Sequence, residues 1–134
     1  MPSEAESVPL PFPKCRILYV DDDPRSHSLV DMYARHRPEL IIAHAFSGNE
    51  FNSQIDAESP DVIVVDINML IWKGGDLRSV VMRQRETAGV RIVGVSAVVD
   101  ASSRRYAEDS KMIALIQKPI PFQDFVQAIG TAMQ

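Results

Sequence analysis

Cysteine is almost absent from the chain. Cys15 stands alone among 134 residues, so no intramolecular disulfide can form, and no thiol or histidine lies near it in sequence to announce a zinc site. A reducing, cytoplasmic setting fits this usage. Long hydrophobic runs are also missing, and none approaches the ~20 residues that a spanning helix requires. Nor is there an excess of positive charge: 14 basic against 18 acidic side chains give a net charge of -4 and a pI near 5.3. Sequence-independent attraction to nucleic acid or to an anionic membrane is therefore not expected. The first thirteen residues lack the lysine or arginine of a signal peptide, carry Glu4 and Glu6, and contain four prolines without a continuous apolar stretch. Residues 1–14 read as an uncleaved, poorly ordered proline-rich tail ahead of a single domain over 15–134.

What is present is the composition of a soluble globular domain, 46% hydrophobic and 24% charged with a mean hydropathy of -0.06. From Cys15 onward, short β-branched runs alternate with segments of helical period, the pattern of a parallel sheet with crossover helices. Strands are predicted at Ile17-Leu18-Tyr19-Val20, Ile41 to Ala45, Val62-Ile63-Val64-Val65, Ile92-Val93-Gly94-Val95 and Met112 to Ile116. Val62 to Val65 is apolar on both alternations and so reads as the central strand, and Gly94 inside a strand implies close packing by a neighbour. Helices are predicted at Pro24–His36, with Leu29, Met32 and Tyr33 as its apolar positions, then at 50–55, 76–85, 102–108 and 122–133. Residues 67–75 read as irregular. Five alternating units joined by right-handed crossovers make an α/β doubly wound three-layer sandwich around a five-stranded parallel sheet.

In such sheets the site lies beyond the carboxyl ends of the strands. Strand one ends in Asp21-Asp22-Asp23, strand three in Asp66, strand four in Ser96 and strand five in Lys118-Pro119. Taken singly, each has an ordinary structural reading: aspartates before a proline start a helix, Asp66 turns the chain, Ser96 caps a helix and Lys118 is a solvated charge or a structural ion-pair partner. Together they are harder to dismiss, because carboxylates converging on one crevice repel one another unless a cation is present. A hard divalent ion on a few carboxylate oxygens meets that need, and Mg²⁺ is such an ion. With Lys118 as a second positive charge and Ser96 as a hydroxyl donor, the constellation describes a pocket for a phosphoryl group on a carboxylate oxygen. Asp66, between the acidic pair and the lysine, is the candidate nucleophile.

These residues resemble the receiver domains of two-component response regulators, the CheY-like superfamily with flavodoxin-like topology. The resemblance runs from about Cys15 to Met133 and rests on Ile17 to Pro24, on Pro60 to Met69 with Gly74 downstream, on Val95-Ser96-Ala97 and on Lys118-Pro119. The intervals are also similar: 44 residues from Asp22 to Asp66, 30 from Asp66 to Ser96 and 22 from Ser96 to Lys118. It implies that Asp66 accepts a phosphoryl group from a histidine kinase, a phosphotransfer protein or a small donor such as acetyl phosphate. It implies Asp22 as a direct Mg²⁺ ligand, Asp21 as a ligand through water, Asp66 itself, and the backbone carbonyl of Asn68. Lys118 and Ser96 would bind phosphoryl oxygens, and Ala97 would leave room for the group. The implied partners are the kinase and a downstream protein or output domain, with a homodimer through the fourth helix, fifth strand and last helix. No direct contact with nucleic acid or membrane is implied.

The chain departs from the family in places. Leu70 stands where the loop after the phosphoacceptor usually has proline, and Leu115 where an aromatic often reports phosphorylation. Tyr106 offers a related role or simple packing. Trp72 is either a partner contact or a lid. Asn68 and Val98, flanking the route of an attacking water, bring no carboxylate to assist hydrolysis. His27, His36 and His44 show no ligand spacing and read as ordinary surface or edge residues. The expectation is a cytoplasmic Mg²⁺-dependent switch, not a turnover enzyme, either free-standing or cut from a longer chain. One alternative is a pseudo-receiver that acts as a phosphorylation-independent interaction module. Another is a phosphatase on a similar fold with Asp66 as nucleophile, for which the short loops leave little room.

Overall fold

The computed structural model describes residues 13–72 and 75–134. The amino-terminal tail through residue 12, Gly74 and the side chain of Trp72 lie outside what is described. In chain order the elements are β1 (Cys15–Val20), α1 (Pro24–His36), β2 (Leu40–Ala45), α2 (Gly48–Glu58), β3 (Val62–Asp66), α3 (Ile67–Trp72), α4 (Gly75–Ala88), β4 (Arg91–Ser96), α5 (Ala101–Asp109), β5 (Ala114–Gln117) and α6 (Phe122–Ala132). All pairings are parallel, in the order β2-β1-β3-β4-β5. The chain thus reverses its direction of winding between β2 and β3, and the crevice at that reversal opens beyond the ends of β1 and β3.

Alternation along the strands splits the core in two. Cys15, Ile17 and Tyr19 of β1 join Val62 and Val64 of β3 and Val93 and Val95 of β4 under Val30 of α1 and Phe125 and Ile129 of α6. Leu18, Val20, Ile63, Val65 and Ile92 face the other way, under Phe51 and Ile55 of α2 and Leu77 and Val81 of α4. The central strand is therefore apolar at every position before Asp66, as its sequence foretold. Burial, followed by the nearby Asp61 carboxylate, pushes the Cys15 thiol up to about 12, which makes it a small core hydrophobe.

Among the described residues, three helix starts are fixed by side chains. Asp23 accepts from the Arg25 backbone N–H at α1, Ser47 from that of Glu50 at α2, and Asp100 forms a reciprocal capping box with Ser103 at α5. Gly94 of β4 is closely packed, as expected: a Cβ there would stand 2.7 Å from Met112 Sδ and 3.0 Å from Ile67 Cγ2.

Three expectations need correction. Residues 67–72 are helical, because no proline interrupts them and Ile67, Met69 and Leu70 bury themselves on one side. The inner face of α1 carries His27 and Val30, with Tyr33 packed against the same core as expected, while Met32 is 45% exposed; the stripe is rotated in part because a buried histidine replaces an apolar side chain. β5 begins at Ala114, since Lys111 takes a left-handed conformation (φ 57°) and Met112 turns toward Gly94. Among the described residues, no helix is long and apolar enough to cross a membrane.

Candidate functional site

At the carboxyl edge the strands deliver their polar residues to one place. Asp21 follows β1, Asp66 closes β3, and each is almost fully buried, while Asp22 is exposed at the rim. Their carboxylate oxygens come within 4.8 Å of one another. Lys118, just past β5, enters the crevice and donates to Asp66 Oδ2 at 2.7 Å and to Asp21 Oδ2 at 3.1 Å. Its backbone N–H donates to the Ser96 carbonyl at 2.8 Å, tying the end of β5 to the end of β4. The Lys118-Pro119 peptide is cis.

The remaining carboxylate valences are also engaged. Asp21 Oδ2 accepts from the Tyr19 hydroxyl at 2.9 Å, and its Oδ1 accepts from the Asp23 backbone N–H at 3.0 Å. Asp66 Oδ1 accepts from the Asn68 backbone N–H at 2.9 Å, a bond made possible by the helical start of α3. Burial, then the adjacent Asp21 charge, pushes the Tyr19 phenol well above its usual range, so it remains a donor. At Lys118 burial opposes the ammonium, but its hydrogen bonds to the Asp66 and Asp21 carboxylates, and their charges, outweigh it and raise the pKa.

Ser96 is buried at the end of β4, but its hydroxyl is turned into its own loop, donating to the Val98 carbonyl at 2.8 Å and accepting from the Val98 N–H at 3.3 Å. The structure therefore brings Asp21, Asp22, Asp66 and Lys118 together, places Asn68 against Asp66 through its backbone, and leaves Ser96 at the margin. An all-oxygen donor set, buried at Asp21 and Asp66 and open at Asp22, fits a hard divalent cation that keeps part of its water shell. Among the described residues, Lys118 brings its ammonium between Asp21 and Asp66, and three carboxylates this close favour further positive charge.

Two features escaped sequence reasoning. Tyr19 reads as a core strand aromatic, yet its hydroxyl braces Asp21. His27 is buried and not a surface residue: its Nε2 lies 2.6 Å from the Asp21 carbonyl oxygen and its Nδ1 2.7 Å from His44 Nδ1. Its place three residues before the buried Val30 was the available signal. Tyr106 packs against the α2/α4 side of the core with the Arg78 guanidinium 5.4 Å from its ring centroid.

The response regulator receiver domain family matches residues 17–130, and the chain belongs to that family. Solved structures share the fold at low identity. A putative response regulator from Chloroflexus aurantiacus J-10-fl is 22% identical with a TM-score of 0.76, covering 90% of this chain and 99% of that one. Chemotaxis protein CheY4 of Vibrio cholerae is 17% identical with a TM-score of 0.73, covering 87% and 96%. A co-crystal of the Saccharomyces cerevisiae histidine phosphotransfer signaling protein Ypd1 with the receiver domain of its downstream response regulator Ssk1 matches at 19% identity and a TM-score of 0.73, covering 88% of each chain. A comparison with curated proteins gives no significant match.

Proposed function

We propose that this receiver domain is a phosphoacceptor: an Asp66 carboxylate oxygen attacks phosphorus in a phosphohistidine or in acetyl phosphate. The new O–P bond forms as the bond to the histidine nitrogen or the acetate oxygen breaks, and the leaving group departs with that electron pair. The observation that carries this reading is the contact of Lys118 with both Asp66 and Asp21. It presents the nucleophile beside a fixed positive charge in a partly dehydrated crevice, where developing phosphoryl charge is best stabilised. Asp21, Asp22 and Asp66, with the Asn68 carbonyl, would hold Mg²⁺, which when bound neutralises phosphoryl oxygens. Lys118 keeps one phosphoryl oxygen paired, and the Ser96 hydroxyl exchanges its Val98 partner for another. That exchange moves the loop after β4 and carries the signal outward.

The protein is thus a switch that modifies itself and turns over no external substrate. Its upstream partner is a histidine kinase or phosphotransfer protein, a reading supported by the pairing of Ssk1 with Ypd1 in the similar co-crystal. Its downstream partner is a protein, with β5 and the flanking α5 and α6 as the contact face for that partner or for a second copy; the exposed Ile113 beside this edge strand supports the assignment. The acidic net charge and reduced lone cysteine suit a cytoplasmic protein.

Intact mass after incubation with acetyl phosphate and Mg²⁺ tests the reading. One added phosphoryl group on the wild type and none on Asp66→Asn is expected. No adduct together with no Mg²⁺ binding would leave a pseudo-receiver, and catalytic hydrolysis of a generic phosphomonoester would indicate a phosphatase.

A further inference from the structure

A chain of hydrogen bonds runs from the surface of α1, across edge strand β2, to the backbone of the acidic loop. Asp31 Oδ1 lies 2.7 Å from His44 Nε2, His44 Nδ1 lies 2.7 Å from His27 Nδ1, and His27 Nε2 lies 2.6 Å from the Asp21 carbonyl oxygen. The Phe46 ring stacks on His27 at 3.8 Å and Tyr19 meets it edge-on at 4.9 Å, so the His27 ring plane is fixed on two sides. Nothing in the phosphoacceptor chemistry uses these residues.

We infer that Asp31, His44 and His27 form a positioning relay that fixes the Asp21 carbonyl and thereby the loop presenting Asp21 and Asp22 to the metal. The relay rests on the phosphoacceptor reading and deepens it. Its direction follows from what each partner can accept. A carbonyl only accepts, so His27 Nε2 carries its hydrogen and donates. Between the two facing Nδ1 atoms one hydrogen is shared, which locks the rings to each other. Asp31, on the half-exposed surface of α1, is a carboxylate and only accepts, so His44 Nε2 donates as well. The 2.7 Å separation of the Nδ1 atoms is a hydrogen-bond distance, shorter than two nitrogens on one tetrahedral metal would adopt. Histidines that orient a ligating group are themselves held in this way by a carboxylate or a carbonyl. Here the held group is the backbone of the ligand loop.

Two readouts on the whole chain test the relay. Long-range ¹⁵N–¹H spectra are expected to show a hydrogen on His27 Nε2 and on His44 Nε2, the pattern that the carbonyl and carboxylate acceptors at the two ends require. Titration calorimetry with Mg²⁺ is expected to show His44→Leu weakened by about three- to tenfold, below the usual range for loss of an outer-shell partner because the effect passes through a backbone carbonyl. His44→Asn keeps an amide aimed at His27 that can donate or accept, and is expected to bind within about twofold of wild type, a rescue that a purely structural role would not give. Should His44→Leu fail to fold, Asp31→Ala breaks the same chain from the helix surface and is expected to shift affinity in the same direction. A wild-type His27 with no hydrogen on Nε2, or a His44→Leu chain that binds Mg²⁺ like wild type, overturns the relay alone. A wild type that binds no Mg²⁺ overturns the phosphoacceptor reading and the relay with it.

Discussion

Lys118 carries two jobs at one nitrogen, since it pairs with both the buried Asp21 and the buried Asp66. Its raised pKa places the associated stability below the unfolded lysine value near 10.5 and removes it only as pH climbs through the higher folded value. Between pH 7 and 9 the contribution is therefore flat. Lys118→Met would leave two buried carboxylates uncompensated, and a loss of about 3 kcal/mol in urea unfolding is expected. Because a divalent ion can replace the missing charge, millimolar Mg²⁺ should recover part of that loss; a variant as stable as wild type without Mg²⁺ would contradict the ion-pair assignment. Asp21, Asp22, Asp66 and Lys118 were legible in the sequence because each follows a strand, and a parallel sheet sends all strand ends to one edge. His27 and His44 were not, because seventeen residues separate them and only the packing of α1 over β2 makes them partners.

Among the elements, α3 and β4 show how local sequence and tertiary packing divide the work. The residues after Asp66 carry no turn signal beyond the absence of a pattern, and six residues are too few for a helix to stand by propensity alone. α3 exists because Ile67, Met69 and Leu70 find a buried surface, part of it the space left by Gly94. Gly94→Ala should press on Met112, Ile67 and Leu115 together, and a destabilisation of about 1–3 kcal/mol is expected by thermal or urea unfolding. A neutral result would show that Met112 swings aside without cost. The central strand was readable to within a residue because burial on both faces leaves an uninterrupted apolar run. The inner stripe of α1 was misread for the opposite reason, as the helix buries a polar ring that a hydrophobic pattern cannot register. β5 was placed early because Met112 and Ile113 are as apolar as the strand they precede, and the left-handed turn at Lys111 has no glycine to announce it.

For the molecule as a whole, the acidic crevice couples ligand binding to stability. An ion held by Asp21, Asp22 and Asp66 binds the folded chain alone, since the unfolded chain scatters these residues. At tenfold excess over its dissociation constant, Mg²⁺ should add about 1.4 kcal/mol and raise the thermal midpoint by a few degrees. Asp22→Asn, at the exposed rim, should keep the fold and lose most of that shift; an equal shift in both proteins would place the ion elsewhere. The same architecture sets an order in time. Lys118 meets Asp66 across 52 residues of chain and Asp21 across 97, so these contacts close among the longest loops in the domain. A nascent chain emerging from the ribosome exposes its aspartates well before their ammonium is synthesised. On the phosphoacceptor reading proposed above, the nucleophile would be made early and armed last, and a truncated or half-folded copy would lack the charge balance needed to compete for phosphoryl groups with finished molecules.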